Sequence, residues 1–278
     1  MKNQLQHIKI KNFTTELGAC ILELNLSYQV FGKELGSSPI ILINHALTGN
    51  SEVAGKEGWW QDIVGEEKVI DTAVYTILSF NVPGNGFDGF LIENYKDFIA
   101  RDIANIFLEG LQYLKISQLF ALIGGSLGGG IAWEMVVLNT KITKHFLPIA
   151  TDWKSTDWLI ANCQIQEQFL VNSSNPVHDA RMHAMLCYRT PTSFKERFQR
   201  SKKENSTIFN VESWLLHHGE KLQERYQLSS YKLMNQLLRS IDVTDNGEKN
   251  IEILDSITAD IHIIGVDSDL FFTAEENK

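Results

Sequence analysis

The sequence predicts an α/β protein built on a mostly parallel β-sheet, and three observations indicate this class. Several apolar runs have the length of buried strands, and stretches with helical spacing of apolar residues separate them. One of the runs leads through a glycine-rich turn directly into a helix. A long helical stretch in the second half of the chain is expected to be inserted between two strands.

The first half of the chain supplies most of the predicted sheet. Residues 20–30 alternate apolar and polar side chains, which predicts one strand of an N-terminal antiparallel hairpin. Uninterrupted apolar runs at 39–44 and 74–80 instead predict central strands buried on both faces. Residues 95–114 carry apolar side chains at helical spacing, so a helix covering the sheet is expected there.

The glycine-rich turn has the pattern G-x-S-x-G, with Gly124, Ser126 and Gly128 between a strand at 119–123 and a helix at 131–138. A serine in so tight a turn needs neighbours without side chains, and glycines on both sides remove the clash. The helix behind it offers free N–H groups to a developing oxyanion. The pattern therefore favours a nucleophilic Ser126 over an ordinary strand–glycine–helix turn.

The second half of the chain changes character. Strands are predicted at 145–149 and 260–266, with helices between them at 156–171, 176–186, 191–200, 211–226 and 229–241. We therefore predict a core over residues 1–151, a helical lid over 152–248, and a continuation of the core over 249–278. Active sites in such sheets lie beyond the carboxyl ends of the strands, so the loops there are the ones to inspect.

Composition excludes several classes of function. The 278 residues carry a net charge of −9, which argues against nucleic acid as a partner. No stretch has the roughly 18 apolar residues that a membrane span needs, and the first residues lack the apolar core of a signal peptide. The three cysteines are scattered without metal-like spacing, which predicts reduced thiols, no metal site and a cytoplasmic location.

Short blocks along most of the chain resemble the homoserine O-acetyltransferase family of α/β-hydrolase-fold enzymes. The first block runs from His45 to Gly49, and the nucleophile block from Gly124 to Gly129. The others, in family order, are 58–60, 70–72 with Tyr75, 149–151, 180–182, 188–189, 197–198, 229–231 and 268–271. The resemblance implies an α/β-hydrolase fold with a helical lid.

The resemblance also implies a role for each site residue. Ser126 would accept the acyl group, Asp269 would be the acid of the triad, and the backbone N–H groups of Leu47 and Leu127 would form the oxyanion hole. Arg189 would bind the amino-acid carboxylate, for which a planar guanidinium is suited.

Each role has a plainer alternative. Asp269 could be a solvated turn residue, and His45 is expected to make hydrogen bonds within its loop. Arg189 could belong to an exposed basic face with neighbouring lid arginines, or to a patch for coenzyme A phosphates.

The activity implied is transfer of an acetyl group from acetyl-coenzyme A to the hydroxyl of homoserine through an acyl-serine, in methionine biosynthesis. The partners would be these small molecules, with no tightly bound cofactor, and a homodimer is one option for the assembly. The competing hypotheses are a serine esterase of the same fold and an inactive fragment. The acyl group, acetyl or succinyl, is left open.

Two features depart from the family pattern. The loop at 81–89 is shorter than the family's, which leaves open the acyl donor or the acceptor. No histidine follows Asp269, where the family carries its catalytic base, so the sequence is expected to be truncated at its C-terminus and to turn over poorly. His145 and His262 lie within predicted strands and are expected to point into the core.

Overall fold

The computed structural model describes residues 4–244 and 248–275. Its main sheet has seven strands in the order β1-β2-β6-β3-β7-β8-β9, and β4 and β5 form a small separate sheet. The strands are β1 (Gln6–Thr14), β2 (Cys20–Gly32), β3 (Ile40–Asn44), β4 (Val64–Gly65), β5 (Ile70–Asp71), β6 (Thr76–Phe80), β7 (Leu119–Gly125), β8 (Thr143–Ile149) and β9 (Asp260–Ile261). β1, β2 and β6 pair antiparallel, whereas the pairs from β6 through β3, β7 and β8 to β9 are parallel. The predicted α/β class is confirmed.

Helices lie on the sheet and extend beyond its carboxyl edge. They are α1 (Ala100–Tyr113), α2 (Leu127–Leu138), α3 (Asp157–Asn172), α4 (Pro176–Cys187), α5 (Pro191–Phe198), α6 (Asn210–Gln223) and α7 (Leu228–Arg239), with short 3-10 helices at Tyr95–Asp97 and Glu248–Ser256. α1 begins five residues later than the apolar spacing predicts. Asp102 fixes its start, because its carboxylate accepts hydrogen bonds from the N–H groups of Ile99 (2.8 Å) and Glu16 (2.7 Å).

The helices α3 to α7 confirm the predicted helical stretch between β8 and β9. Hydrogen bonds tie this stretch to the core at several points. The Tyr226 hydroxyl donates to the Leu47 carbonyl (2.7 Å), and the Trp158 indole donates to the Leu270 carbonyl (2.7 Å). The division into a core and a lid that opens stays a prediction.

The last strand differs from the prediction. Regular pairing covers only Asp260–Ile261, followed by a single bridge between Ile264 and Ile149. Residues 260 to 268 are all exposed, because within the described residues this segment pairs with β8 alone. The expectation that His145 and His262 point into the core is therefore wrong. His262 is exposed, and the half-buried His145 lies 3.4 Å from the Asp260 carboxylate.

Among the residues that the structure describes, we find no helix with the length and apolar character that crossing a membrane requires.

Candidate active site

Ser126 lies in a strained turn between the buried strand β7 and helix α2, with φ 54° and ψ −127°. A non-glycine residue adopts a positive φ only at some cost, which the surrounding structure must offset. A side chain at Gly124 would approach the Gly128 carbonyl oxygen to 2.3 Å, and one at Gly128 would approach the Asn44 carbonyl oxygen to 2.4 Å. The turn therefore needs glycine at these two positions because a side chain there would clash with the backbone, as the motif predicts.

The two N–H groups predicted to form the oxyanion hole lie next to this turn. Leu127 is the first residue of α2, and Leu47 lies in the loop after β3, against which Gly128 packs. Throughout residues 4–244 and 248–275, neither N–H donates a hydrogen bond to another residue. Both N–H groups are therefore available to an oxyanion, although neither leucine lines the cavity described below, and the oxyanion hole stays a prediction.

A buried polar network holds the loop after β3. The imidazole of His45 is 1% exposed; its Nδ1 lies 2.8 Å from the Ala46 carbonyl and its Nε2 accepts from the Val82 N–H (3.0 Å). Asn81, at the start of the short loop 81–89, accepts from the Ser51 N–H (2.8 Å). Burial lowers the pKa of His45 to about 4. This histidine is neutral and makes hydrogen bonds within its loop, as predicted.

One cavity of about 380 Å³ brings three of the predicted site residues together. Ser126, Arg189 and Asp269 all line it, although they come from the turn after β7, the connection between α4 and α5, and the loop after β9. The remaining lining residues are Ala150, Cys187, Tyr188, Thr190, Ser193, Val266, Ser268, Phe271 and Phe272. The cavity therefore lies where the sheet topology predicts an active site, beyond the carboxyl ends of the strands.

Asp269 is held by backbone hydrogen bonds. Its Oδ1 accepts from the N–H groups of Phe271 (2.7 Å) and Phe272 (3.0 Å), and its own N–H donates to the Val266 carbonyl (2.9 Å). Asp269 is half-buried and lines the cavity. Among the described residues, no hydrogen bond to Oδ2 is found, and the role of Asp269 as the acid of a triad stays a prediction.

Arg189 is positioned by the start of α5. The Thr190 hydroxyl caps this helix by accepting from the Ser193 N–H (3.1 Å), and Pro191 occupies its first turn. The guanidinium donates from Nη1 to the Ser193 hydroxyl (3.3 Å) and lies 5.7 Å from the centre of the Trp214 ring on α6. Neither Ser193 nor Trp214 stood out in the sequence, because their relation to Arg189 depends on how α5 and α6 pack.

No histidine lines the cavity, although all eight histidines of the chain fall among the described residues. Several are engaged elsewhere: His7 with Asn25, His145 with Asp260, His178 with Asp179 and His183 with Gln166. His218 lies on α6 against the Trp214 ring, and His217 lies against His218. The described residues thus supply a serine and an acid, but no imidazole between them. They also contain no cluster of three metal-ligating side chains.

Comparison with known proteins gives a consistent result. A family model described as the alpha/beta hydrolase fold matches residues 39–157. The homoserine O-acetyltransferase of Chloroherpeton thalassium is 31% identical over an alignment that covers 100% of this chain and 79% of that protein. The chain belongs to the homoserine O-acetyltransferase family. The homoserine O-acetyltransferase of Chlorobium chlorochromatii is 28% identical over an alignment that covers 96% of this chain and 82% of that protein.

Solved structures agree with the fold. Homoserine O-acetyltransferase from Staphylococcus aureus superposes with a TM-score of 0.85 at 24% identity, covering 99% of this chain and 83% of that one. An acetylester hydrolase from Corynebacterium glutamicum superposes with a TM-score of 0.81 at 20% identity, covering 98% and 83%. The α/β-hydrolase fold is thus shared by transferases and hydrolases. As a member of the homoserine O-acetyltransferase family, the chain is an acyltransferase.

The family blocks in the sequence pointed to part of the cavity wall. Tyr188, Ser268 and Phe271 belong to these blocks and line the cavity. Cys187 also lines it, beside Asp269; burial, and then the charge of Asp269, raises the pKa of its thiol. A thiol held protonated is a poor nucleophile, which leaves Ser126 as the candidate nucleophile of the cavity.

Proposed function

We propose that the chain transfers an acetyl group from acetyl-coenzyme A to the hydroxyl of homoserine, supplying activated homoserine for methionine synthesis in the cytoplasm. The observation that carries the proposal is that Ser126 and Arg189 line one small cavity. A nucleophile alone suits any acyl-transfer reaction. A guanidinium beside it selects an acceptor that carries a carboxylate.

The reaction would proceed in two half-reactions. The Ser126 Oγ attacks the thioester carbonyl, and its proton passes to a base. The tetrahedral oxyanion forms near the N–H groups of Leu47 and Leu127, the C–S bond breaks, and the thiol leaves with a proton. The homoserine hydroxyl then attacks the acetyl-serine, and Ser126 leaves as the alcohol.

Arg189 acts in the second half-reaction under this proposal. Its guanidinium is held by Ser193 and by the face of Trp214, so little freedom is lost when it binds a carboxylate. It would fix the amino acid with its hydroxyl toward the acetyl-serine, and exclude water as the competing acceptor.

The test separates the two half-reactions. Acetylation of the Ser126 peptide by acetyl-coenzyme A is followed by mass spectrometry, and discharge of the acetyl-serine is followed with homoserine or with water alone, with imidazole added throughout. Arg189→Ala should leave acetylation nearly unchanged. It should slow discharge by homoserine roughly 30- to 1,000-fold, as expected for loss of a charged bidentate contact.

Arg200→Ala is the matched control, because this arginine follows α5 and lies 5.5 Å from the Phe209 ring, outside the cavity lining. The acetyl-serine of the Arg200→Ala variant should be discharged by homoserine at the same rate as in the unmodified chain. Equal loss in both half-reactions for Arg189→Ala would contradict the role of Arg189. Discharge no faster with homoserine than with water would mean a hydrolase, and an adduct that persists in Ser126→Ala would refute the nucleophile.

A further inference from the structure

The chain passes between the sheet and the helices α3 to α7 twice, and the two connecting segments lie side by side. We call them the outgoing segment, residues 151–156, and the returning segment, residues 240–244. The Ser155 N–H donates to the Ile241 carbonyl (2.8 Å). Two further contacts join the segments, the Val243 N–H with the Trp153 carbonyl (3.2 Å) and the Lys154 ammonium with the Asp242 carboxylate (3.2 Å). The segments therefore form one antiparallel junction at the base of the helical stretch.

This junction packs against helix α2 just behind the nucleophile turn. Thr151 and Ile241 are each 2% exposed. A side chain at Gly129 would collide with Thr151, and one at Gly130 would collide with Ile241. These two glycines lie outside the G-x-S-x-G pattern, so the serine turn does not explain them. They let the junction lie directly on the first turn of α2, the helix whose N-cap is Ser126.

A buried ion pair fastens the junction to the core. The side chains of Glu134 on α2 and Arg101 on α1 are 1% and 14% exposed. One carboxylate oxygen of Glu134 accepts from the Arg101 Nε (3.0 Å), and the other accepts from the Asp242 N–H (3.1 Å). The Arg101 Nη2 donates to the carbonyls of Asp242 (3.4 Å) and Val243 (3.2 Å). The pair thus holds the backbone of the returning segment through one N–H and two carbonyl groups.

The cost of burying this pair indicates a role beyond stability. Burial raises the pKa of the Glu134 carboxyl, and the charge of Arg101 opposes that rise. Apolar side chains of similar volume often replace a buried ion pair without loss of stability. Apolar side chains could not, however, form hydrogen bonds with the backbone of the returning segment. What the pair supplies is therefore a fixed position for that segment and, through the bond from Ser155 to Ile241, for the outgoing segment as well.

We propose that Arg101 and Glu134 are positioning residues that fix the helices α3 to α7 on α2, and thereby set where Arg189 lies relative to Ser126. The inference rests on the proposed function, because it gives the pair a part in the half-reaction that uses Arg189. Ser126 begins α2, and Glu134 lies about two turns later on the same helix. Arg189 lies in the cavity wall contributed by the helical stretch, whose junction with the sheet the pair holds. Loosening the junction should therefore displace Arg189 without disturbing the serine turn.

The first test measures the junction directly, by amide hydrogen exchange of the whole chain without ligand, followed by mass spectrometry. Glu134→Gln keeps the size of the side chain, but its NH₂ group cannot accept a hydrogen bond, so one of the two bonds is lost. Exchange in the two segments and in α3 to α7 should become about ten- to a hundredfold faster. Exchange in β3 and β7 should stay unchanged.

Leu111→Ala is the matched control, because Leu111 is 1% exposed near the end of α1 that lies away from Arg101. The cavity that it leaves lowers the stability of the whole fold. Exchange should therefore rise in β3 and β7 as much as in α3 to α7. Should Glu134→Gln fold poorly, Arg101→Lys gives the same comparison, because lysine keeps the charge but lacks the guanidinium fork.

The second test follows the two half-reactions with imidazole added. Glu134→Gln should acetylate Ser126 within about twofold of the unmodified rate. Discharge of the acetyl-serine by homoserine should slow about ten- to a hundredfold, since small misplacements of a binding group have effects of this size. Folded Leu111→Ala should differ little from the unmodified chain in either half-reaction.

Unchanged exchange in the junction of folded Glu134→Gln or Arg101→Lys would overturn the inference, as would the uniform rise expected of Leu111→Ala. Equal slowing of acetylation and discharge would also overturn it, because the pair would then support the whole fold and not the position of Arg189. Discharge of the unmodified acetyl-serine no faster with homoserine than with water, with the expected exchange pattern intact, would contradict the proposed function and leave the junction as described.

Discussion

Ser126 and Asp269 line the same cavity, but very different surroundings hold them. Strand β7, which leads to Ser126, has β3 on one side and β8 on the other, and the helix after it is buried along almost its whole length. The segment from β9 to Asp269 pairs with β8 alone among the described residues. Its apolar side chains Ile261, Ile263, Ile264 and Val266 are between 37% and 50% exposed.

The difference shows which half of the cavity is determined by packing. On the serine side, close contacts with neighbouring backbone leave one position for the turn. On the acid side, a few backbone hydrogen bonds hold the loop, and its stability against local opening is expected to be lower. We therefore expect similar substitutions to change stability or activity strongly around Ser126 and weakly around Asp269.

Adding a base from solution should have the greatest effect, because Ser126 lies in a formed turn but no histidine lines the cavity. Acetylation of Ser126 by acetyl-coenzyme A should be slow in buffer and rise at least about tenfold with free imidazole, since a general base typically contributes about 10²- to 10⁴-fold. Rates are measured by mass spectrometry, with Ser126→Ala as the control. Rapid acetylation without imidazole that disappears in Ser126→Ala would mean that an internal histidine is the base.

The second comparison removes one carboxylate from each side. Glu134 on α2 is 1% exposed and pairs with the mostly buried Arg101 (3.0 Å), so Glu134→Ala removes a buried charge pair, although Arg101 keeps its hydrogen bonds to the Asp242 and Val243 carbonyls. The free energy of unfolding should fall by about 3–5 kcal/mol. Asp260 pairs with His145 but its side chain is 74% exposed, so Asp260→Ala should cost at most about 0.5 kcal/mol. Denaturant unfolding at neutral pH measures both, and similar losses would contradict the comparison.

The third prediction concerns pH and the buried His45. Its pKa is about 4 when folded, below the value of about 6.5 expected when unfolded, so the unfolded chain binds more protons between these values. The neutral imidazole therefore stabilises the fold fully above pH 6.5, and this stabilisation is lost as pH falls toward 4. At pH 7 the His45→Gln variant should have a lower free energy of unfolding than the unmodified chain. At pH 4 this difference in free energy should be about 3 kcal/mol smaller. A difference independent of pH would contradict the neutral, buried state.

The smallest effect compares two glycines. Alanine at Gly128 would bring Cβ to 2.4 Å from the Asn44 carbonyl oxygen, whereas nothing lies within 4 Å of a Cβ at Gly265. Gly128→Ala should lower the free energy of unfolding by about 1–3 kcal/mol and slow acetylation of Ser126. Gly265→Ala should change stability by less than about 1 kcal/mol. Equal effects of Gly128→Ala and Gly265→Ala, in both thermal melting and the acetylation assay, would contradict the distinction between the two glycines.

Much of the fold could be predicted because its signals are local. Apolar runs of strand length gave β3, β6 and β7, and the turn at Ser126 was predictable because the steric need for glycine involves only adjacent residues. The last strand was overestimated because apolar residues at 260–266 favour a strand wherever they occur. Regular pairing needs neighbours, and within the described residues this segment has β8 on one side only.

Local patterns are enough to predict the class of fold, the order of its elements and the residue types capable of acyl transfer, because these depend on periodicity and on steric needs between near neighbours. Long-range packing is what brings Ser126, Arg189 and Asp269 to one cavity, places Trp214 against Arg189, and keeps His145 and His262 out of the core. Those outcomes depend on contacts between segments far apart in the chain, which no local pattern encodes.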